Sequence, residues 1–292
     1  YVVDSVRAWQ FEPSDRVADI RGRLDLTQLG KLYFDSSQPR VEKADGFNQN
    51  CPQSEPNSPV VGCYTDQLIF IYDVRDERLS GIEETTAAHE LLHAAYERMG
   101  EAERAEIDAE IEKVYVSVKT KELVARMKYY QTNEPGEENN ELHSILGTEF
   151  TQLGTKLEDH YSKYFVKRST IVAYYQKYQA VFSTTTNKLD SLAAAANSRT
   201  LRVNAEIIKY KKDSAALARD VRTYNARQSG SAAEYNDLIS RQNEQDRRFG
   251  SIENEIAAIN VLRKEYDRLR KEYEALSTSI NSSLEPAPTL KG

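Results

Sequence analysis

An α+β domain followed by a long α-helical coiled-coil hairpin or bundle is the architecture this sequence predicts, and three observations carry that reading. The eight prolines all fall at or before Pro135 or beyond Glu285, and a long helix excludes interior proline whereas a mixed domain uses it in turns. Short β-branched and aromatic runs alternate with helical patterns in the first half of the chain. The second half sustains a three-four alternation of apolar residues. The expected division is residues 1–155 for the first domain and 156–292 for the helical one.

In the first domain, Val2-Val3 and Val6 to Trp9 read as strand-like, and Ser14 can cap a short helix carrying Val17, Ile20 and Leu24. Lys31 to Phe34 and Leu68 to Tyr72 have the content of short strands. A long helix follows, with Ile82, Ala88, Leu92 and Ala95 at helical spacing and Gly100 as its stop. One further helical run carries Ile107, Ile111, Val114, Val118 and Met127 and ends in the turn Thr132 to Gly136. The last helix of the domain is expected over about Asn139 to Phe150.

Beyond it, the stripes Tyr161 to Leu192, Val203 to Tyr224 and Ile259 to Ile280 read as three helical runs, with breaks at Asn197-Ser198 and Gly230. Such stripes are packing seams. The expectation is a hairpin or bundle folded on itself, the alternative a seam for a partner helix or a second copy of the chain. Mixed charge, as in Lys264-Glu265 and Lys271-Glu272, marks the solvated faces.

A net charge of −7 and a pI near 5.4 exclude a nucleic-acid partner, because phosphate neutralisation needs a basic surface. An anionic membrane surface is disfavoured for the same reason. No stretch approaches the roughly 18 apolar residues that span a bilayer. Cys51 and Cys63, the only cysteines, bracket a polar loop containing Pro52, Pro56, Asn57 and Pro59 that cannot build a core of its own. A disulfide between them is expected, worth about 2–3 kcal/mol in the chain-entropy model. Two free thiols or a metal pair are the alternatives, but the spacing is not C-x-x-C and no His lies nearby. The pairing implies an oxidising, extracytoplasmic compartment. The expected route there is an upstream signal peptide or N-terminal anchor, the only expected link to a membrane.

The chemistry centres on His89-Glu90-Leu91-Leu92-His93. On a helix, residues i and i+4 stack on one face, so both imidazoles can reach one Zn²⁺ at about 2.0–2.1 Å while Glu90 stays off the metal as general base. The chain holds only four His, so two at this spacing around a Glu arise by chance in well under roughly one in a hundred such sequences. Two ordinary helix histidines are the bland alternative.

This motif resembles that of the zincin metallopeptidases, in which the active-site helix follows a small mixed sheet whose edge strand binds substrate in extended form. Leu68 to Tyr72, or the segment around Gly62-Cys63-Tyr64, would supply that strand. The metzincin branch is excluded, because its pattern needs Gly at position 96 and His at 99, where this chain has Tyr96 and Met99. Downstream, Asn140-Glu141-Leu142-His143-Ser144 resembles the N-E-x-x-S helix of the thermolysin-like gluzincins, which implies Glu141 as third ligand. Glu149 and His143 are the alternatives. The Asp that follows Ser in that pattern is Ile145 here, so another group must orient a zinc-bound His. His143, His160 and Tyr161 are the candidates for oxyanion stabilisation. The resemblance implies a zincin-like peptidase domain acting on a protein or peptide. The rivals are a helical scaffold or adhesion module carrying an inactive peptidase-like domain, and a structural zinc site closed by four protein ligands.

Overall fold

The computed structural model describes residues 2–51, 61–227 and 229–284. Eleven α-helices and a three-stranded sheet are found among these residues. The chain falls into two compact units, one comprising residues 1–182 with 275–292 and the other residues 183–274.

In the first unit, α1 (Val2–Gln10) replaces the expected N-terminal strands. Short apolar runs carry no period that separates helix from strand, and here polar residues on the helix fix its position. Asp4 accepts from Arg98 at 2.9 Å, and Arg7 donates to Gln67 Oε1 at 2.7 Å. Helix α2 (Asp15–Leu24) is as expected: Ser14 Oγ accepts from Val17 N, and Val17, Ile20 and Leu24 are buried. Lys31 to Phe34 is not a strand. It lies in α3 (Gln28–Ser36), whose first turn is capped by Thr27 Oγ1 accepting from Gly30 N, and a cap of this kind is worth about 1 kcal/mol.

The sheet comprises β1 (Arg40–Glu42), β2 (Gly62–Thr65) and β3 (Leu68–Tyr72) in the order β1-β3-β2. Strand β3 pairs parallel with β1 and antiparallel with β2. Leu68 to Tyr72 is therefore the central strand, and Gly62 to Thr65 is an edge. Cys51, just after α4 (Ala44–Asn50), is disulfide-bonded to Cys63 on β2. The prolines and Asn57 of the intervening loop lie outside the described residues.

Helix α5 (Ile82–Glu97) ends three residues before Gly100, which instead starts α6 (Glu101–Val118). The run expected as one helix is broken at Lys119-Thr120, where Thr120 Oγ1 caps α7 (Lys121–Asn133). Helix α8 (Glu138–Glu149) follows the turn at Gly136. Then come α9 (Thr155–Tyr161) and the long α10 (Arg168–Ala226). Tyr161, Phe165 and Ile171 share one core cluster with Leu91 and Leu92 of α5 and Leu146 of α8. The unit that carries α5 thus extends past the expected boundary at residue 155.

The second unit consists of the facing parts of α10 and α11 (Ala232–Ser279). They run antiparallel, as Arg199–Glu255, Asp213–Arg248 and Asp220–Arg241 pairs at 3.2, 2.8 and 2.7 Å require. Ala196, Val203, Ile259 and Leu269 are its buried apolar residues. The break at Gly230 is real, whereas α10 runs unbroken through Asn197-Ser198.

Candidate functional site

Helix α5 is buried over nearly its whole length, which is unusual for a segment holding four glutamates and two histidines. Its first turn is held by charge. Glu83 accepts from Val74 N at 3.0 Å and pairs with Arg16 at 2.7 Å, and Glu84 pairs with Arg23 at 2.7 Å. Carboxylates there also complement the helix dipole. Burial, opposed by Arg16, pushes Glu83 up to about 7. The helix begins at Gly81, whose φ of 105° lies in the left-handed region, and a Cβ there would meet the Tyr174 backbone oxygen at 3.0 Å. Gly therefore serves both the turn and the close approach of α10.

On α5, His89 and His93 stack one turn apart with ring centroids 4.8 Å apart. Helix α8 brings Glu141 against both. His89 Nε2 lies 3.6 Å from Glu141 Oε2, and His93 Nε2 lies 3.5 Å from Glu141 Oε1. One donor atom from each of the three residues falls within 4.8 Å of the other two. Donor atoms held at about 2.0–2.2 Å by one tetrahedral ion lie about 3.3–3.6 Å apart. Each imidazole lies at that distance from one oxygen of Glu141, His89 from Oε2 and His93 from Oε1. Glu141 Oε2 is buried without a hydrogen-bond partner, an expensive state for a carboxylate unless a cation faces it.

The carboxylates and imidazoles of this group act on one another's charge. Burial raises Glu141, but His93, His89 and Arg126 outweigh it and hold the carboxyl down at about 2. Burial lowers His89, and the nearby Glu141 and Glu90 carboxylates outweigh that and raise it. Glu90 is raised by burial, opposed by His89 and His93. Its carboxylate also lies against the sheet edge: a Cβ on Gly62 would come 2.9 Å from Glu90 Oε1 and 2.3 Å from Thr86 Cγ2. Any larger residue where β2 crosses Glu90 would force Thr86 or Glu90 to shift.

Asn140 supplies what Ile145 cannot. Its Oδ1 accepts from His93 Nδ1–H at 2.9 Å, and its amide orientation is set by donation from Nδ2 to Glu137 Oε2 at 2.9 Å. With Nδ1 protonated, His93 Nε2 presents its lone pair toward Glu141 and His89. Neither Asn140 in this role nor Gly62 was identified from sequence. Asn140 is adjacent to the third-ligand candidate, so the N of N-E-x-x-S was its signal.

The remaining candidates lie elsewhere. Glu149 accepts from Arg126 Nη1 with both oxygens, at 2.8 and 3.0 Å, and does not join the histidines. His143 and His160 are buried and face each other, Nε2 to Nε2, at 2.9 Å. Tyr161 is fully buried, and its hydroxyl donates to the His143 carbonyl at 2.7 Å. Burial lowers His143 strongly, and burial with Lys163 lowers His160 to about 4. These three residues form an internal cluster and are absent from the walls of the cleft that reaches His93. That cleft has a volume of about 1210 Å³ and is lined by β2, the β2–β3 turn, α6 and the start of α8.

Comparison with protein-family models, curated proteins and solved structures found no match to this chain.

Proposed function

We propose that the protein is a zinc-dependent endopeptidase, with His89, His93 and Glu141 as metal ligands and Glu90 as general base. The observation that carries this reading is the convergence of one donor atom from each of His89, His93 and Glu141 to within 4.8 Å of one another, beside a carboxylate that is not among them. Bound there, zinc would polarise the scissile carbonyl and make water more acidic. Glu90, raised by burial, takes the proton of the attacking water on a carboxylate oxygen and passes it to the leaving amine. Asn140 keeps the His93 ring in its ligating orientation. The outer edge of β2 has no strand paired to it among the described residues, so it can align a substrate in extended form.

A structural zinc site is disfavoured because it would need a fourth protein ligand. Cys51 and Cys63 are tied up in their disulfide, and among the described residues no fourth His, Cys, Asp or Glu joins the group. The disulfide fits an oxidising compartment, and we place the enzyme outside the cytoplasm, at the cell surface or beyond it. No helix among the described residues is long and apolar enough to cross a membrane.

Zinc content and hydrolysis of an unfolded protein substrate, measured together on folded variants, test the proposal. Glu90→Gln should keep one zinc per chain and lose hydrolysis, because an amide cannot take the proton. His93→Ala and Glu141→Ala should lose zinc itself. Full zinc retention in both ligand variants would overturn the assignment.

A further inference from the structure

Six carboxylates line the cleft that reaches His93: Asp66, Glu97, Asp108, Glu112, Glu137 and Glu138. They come from three separate parts of the first unit, the β2–β3 turn, the α5–α6 region and the start of α8. Among the described residues, the only Lys or Arg in the same wall is Arg104. Its guanidinium is occupied otherwise, donating to the backbone carbonyls of Tyr96 and Glu97 at 3.2 Å and stacking on the Tyr96 ring at 5.1 Å.

Five of the six accept from neutral donors. Glu97 accepts from the Tyr64 hydroxyl, and Asp108 from the Tyr96 hydroxyl at 2.7 Å. Glu112 accepts from Asn139 Nδ2, Glu137 from Asn140 Nδ2, and Glu138 from Gly136 N. Asp66 sits in the turn at φ 51°. A neutral donor, unlike a Lys or Arg partner, does not cancel the charge of a carboxylate. The cleft therefore carries a concentrated negative field, and walls of low dielectric focus such a field.

Two further observations bear on what enters. The six carboxylates do not converge: among the described residues, the group able to hold a metal ion is His89, His93 and Glu141, and no cleft carboxylate belongs to it. Spread charge of this kind suits a ligand with several separated positive groups better than a single ion. Tyr64 and Thr65 of the edge strand β2 also line the cleft. A chain lying along that edge would pass the carboxylates and His93 together.

On the reading of this site as a peptidase, we infer that its substrate is a polypeptide segment carrying Lys or Arg side chains close to the scissile bond. The cleft carboxylates act as specificity determinants. They do not touch the reacting bond, and they select by charge.

The test uses the full chain and three otherwise identical unstructured peptides with lysines, alanines or glutamates at the same positions. Binding is read by fluorescence anisotropy with zinc-loaded Glu90→Gln protein, and cleavage by mass spectrometry with the unsubstituted protein. The lysine peptide should bind and be cut at least about tenfold better than the glutamate peptide at low ionic strength, since several individually weak exposed charge contacts add to that factor. The preference should shrink in high salt. Asp66→Asn, Glu112→Gln and Glu138→Gln combined should remove most of it while zinc content stays at the unsubstituted level. Equal binding of all three peptides, or a lysine preference that survives both salt and the triple substitution, would overturn the inference. The binding result decides the inference whatever the cleavage result. Zinc content and cleavage of any of the peptides decide the peptidase reading on which it rests.

Discussion

His93 Nδ1–H donates to Asn140 Oδ1 at 2.9 Å, so the helix that provides the acidic donor also fixes the tautomer of an imidazole on the neighbouring helix. The adjacent residues Asn140 and Glu141 thereby act on opposite sides of one ring. Asn140 holds Nδ1, and Glu141 lies 3.5 Å from Nε2. Groups of this kind typically change metal affinity by about 10–100-fold. Asn140→Ala is expected to weaken zinc binding by that factor with little loss of fold, and Asn140→Asp to retain it. Competition against a chelator of known affinity measures both.

Gly62 is the point at which the sheet edge bears on Glu90. Gly62→Val would drive a side chain into Thr86 Cγ2 and Glu90 Oε1. Overpacking of this sort costs about 1–3 kcal/mol. Expected are a lower melting temperature and a fall in kcat larger than any change in zinc content. A variant of unchanged kcat would show that β2 and Glu90 are not mechanically linked.

The buried His143–His160 pair makes stability depend on acid. The folded value of His160 lies at about 4, below its ordinary 6.5. A histidine lowered in this way contributes stability that is present above pH 6.5 and is lost as pH falls through about 4, with an upper bound of about 3 kcal/mol. His160→Gln, which can still donate to His143 Nε2 and cannot gain a proton, should flatten that part of the stability profile. Denaturant midpoints between pH 7 and pH 4 measure the difference. An equal acid loss in the variant would place the sensitivity elsewhere.

Legibility from sequence followed the range of the physics. His89, Glu90 and His93 could be read because an i,i+4 spacing is a local consequence of helix geometry. Glu141 could be found only through the pattern of residues around it, 48 positions away (141 − 93). Glu149 shares a helix with Glu141 but turns toward Arg126 on α7, a choice set by tertiary neighbours. The helices α1 and α3 were misread because Val2 to Trp9 and Lys31 to Phe34 are too short to show a period. Asn197-Ser198 did not break α10, because each residue costs a helix only about half a kcal/mol while the seam continues through Ala196 and Val203. Asn140 had a signal in the N of N-E-x-x-S, whereas the roles of Gly62 and the acidic cleft depend on segments brought together by folding and have none at the level of a single stretch.

Anomalous scattering recorded on either side of the zinc absorption edge, from crystals of the zinc-loaded protein, tests the central claim most directly. The expected result is one strong peak per chain, about 2.0–2.2 Å from an imidazole nitrogen of His89, from His93 Nε2 and from a Glu141 carboxylate oxygen, with Glu90 outside the ligand set. No peak between α5 and α8, or a zinc ion held by Glu149 or by the His143–His160 pair, would contradict it.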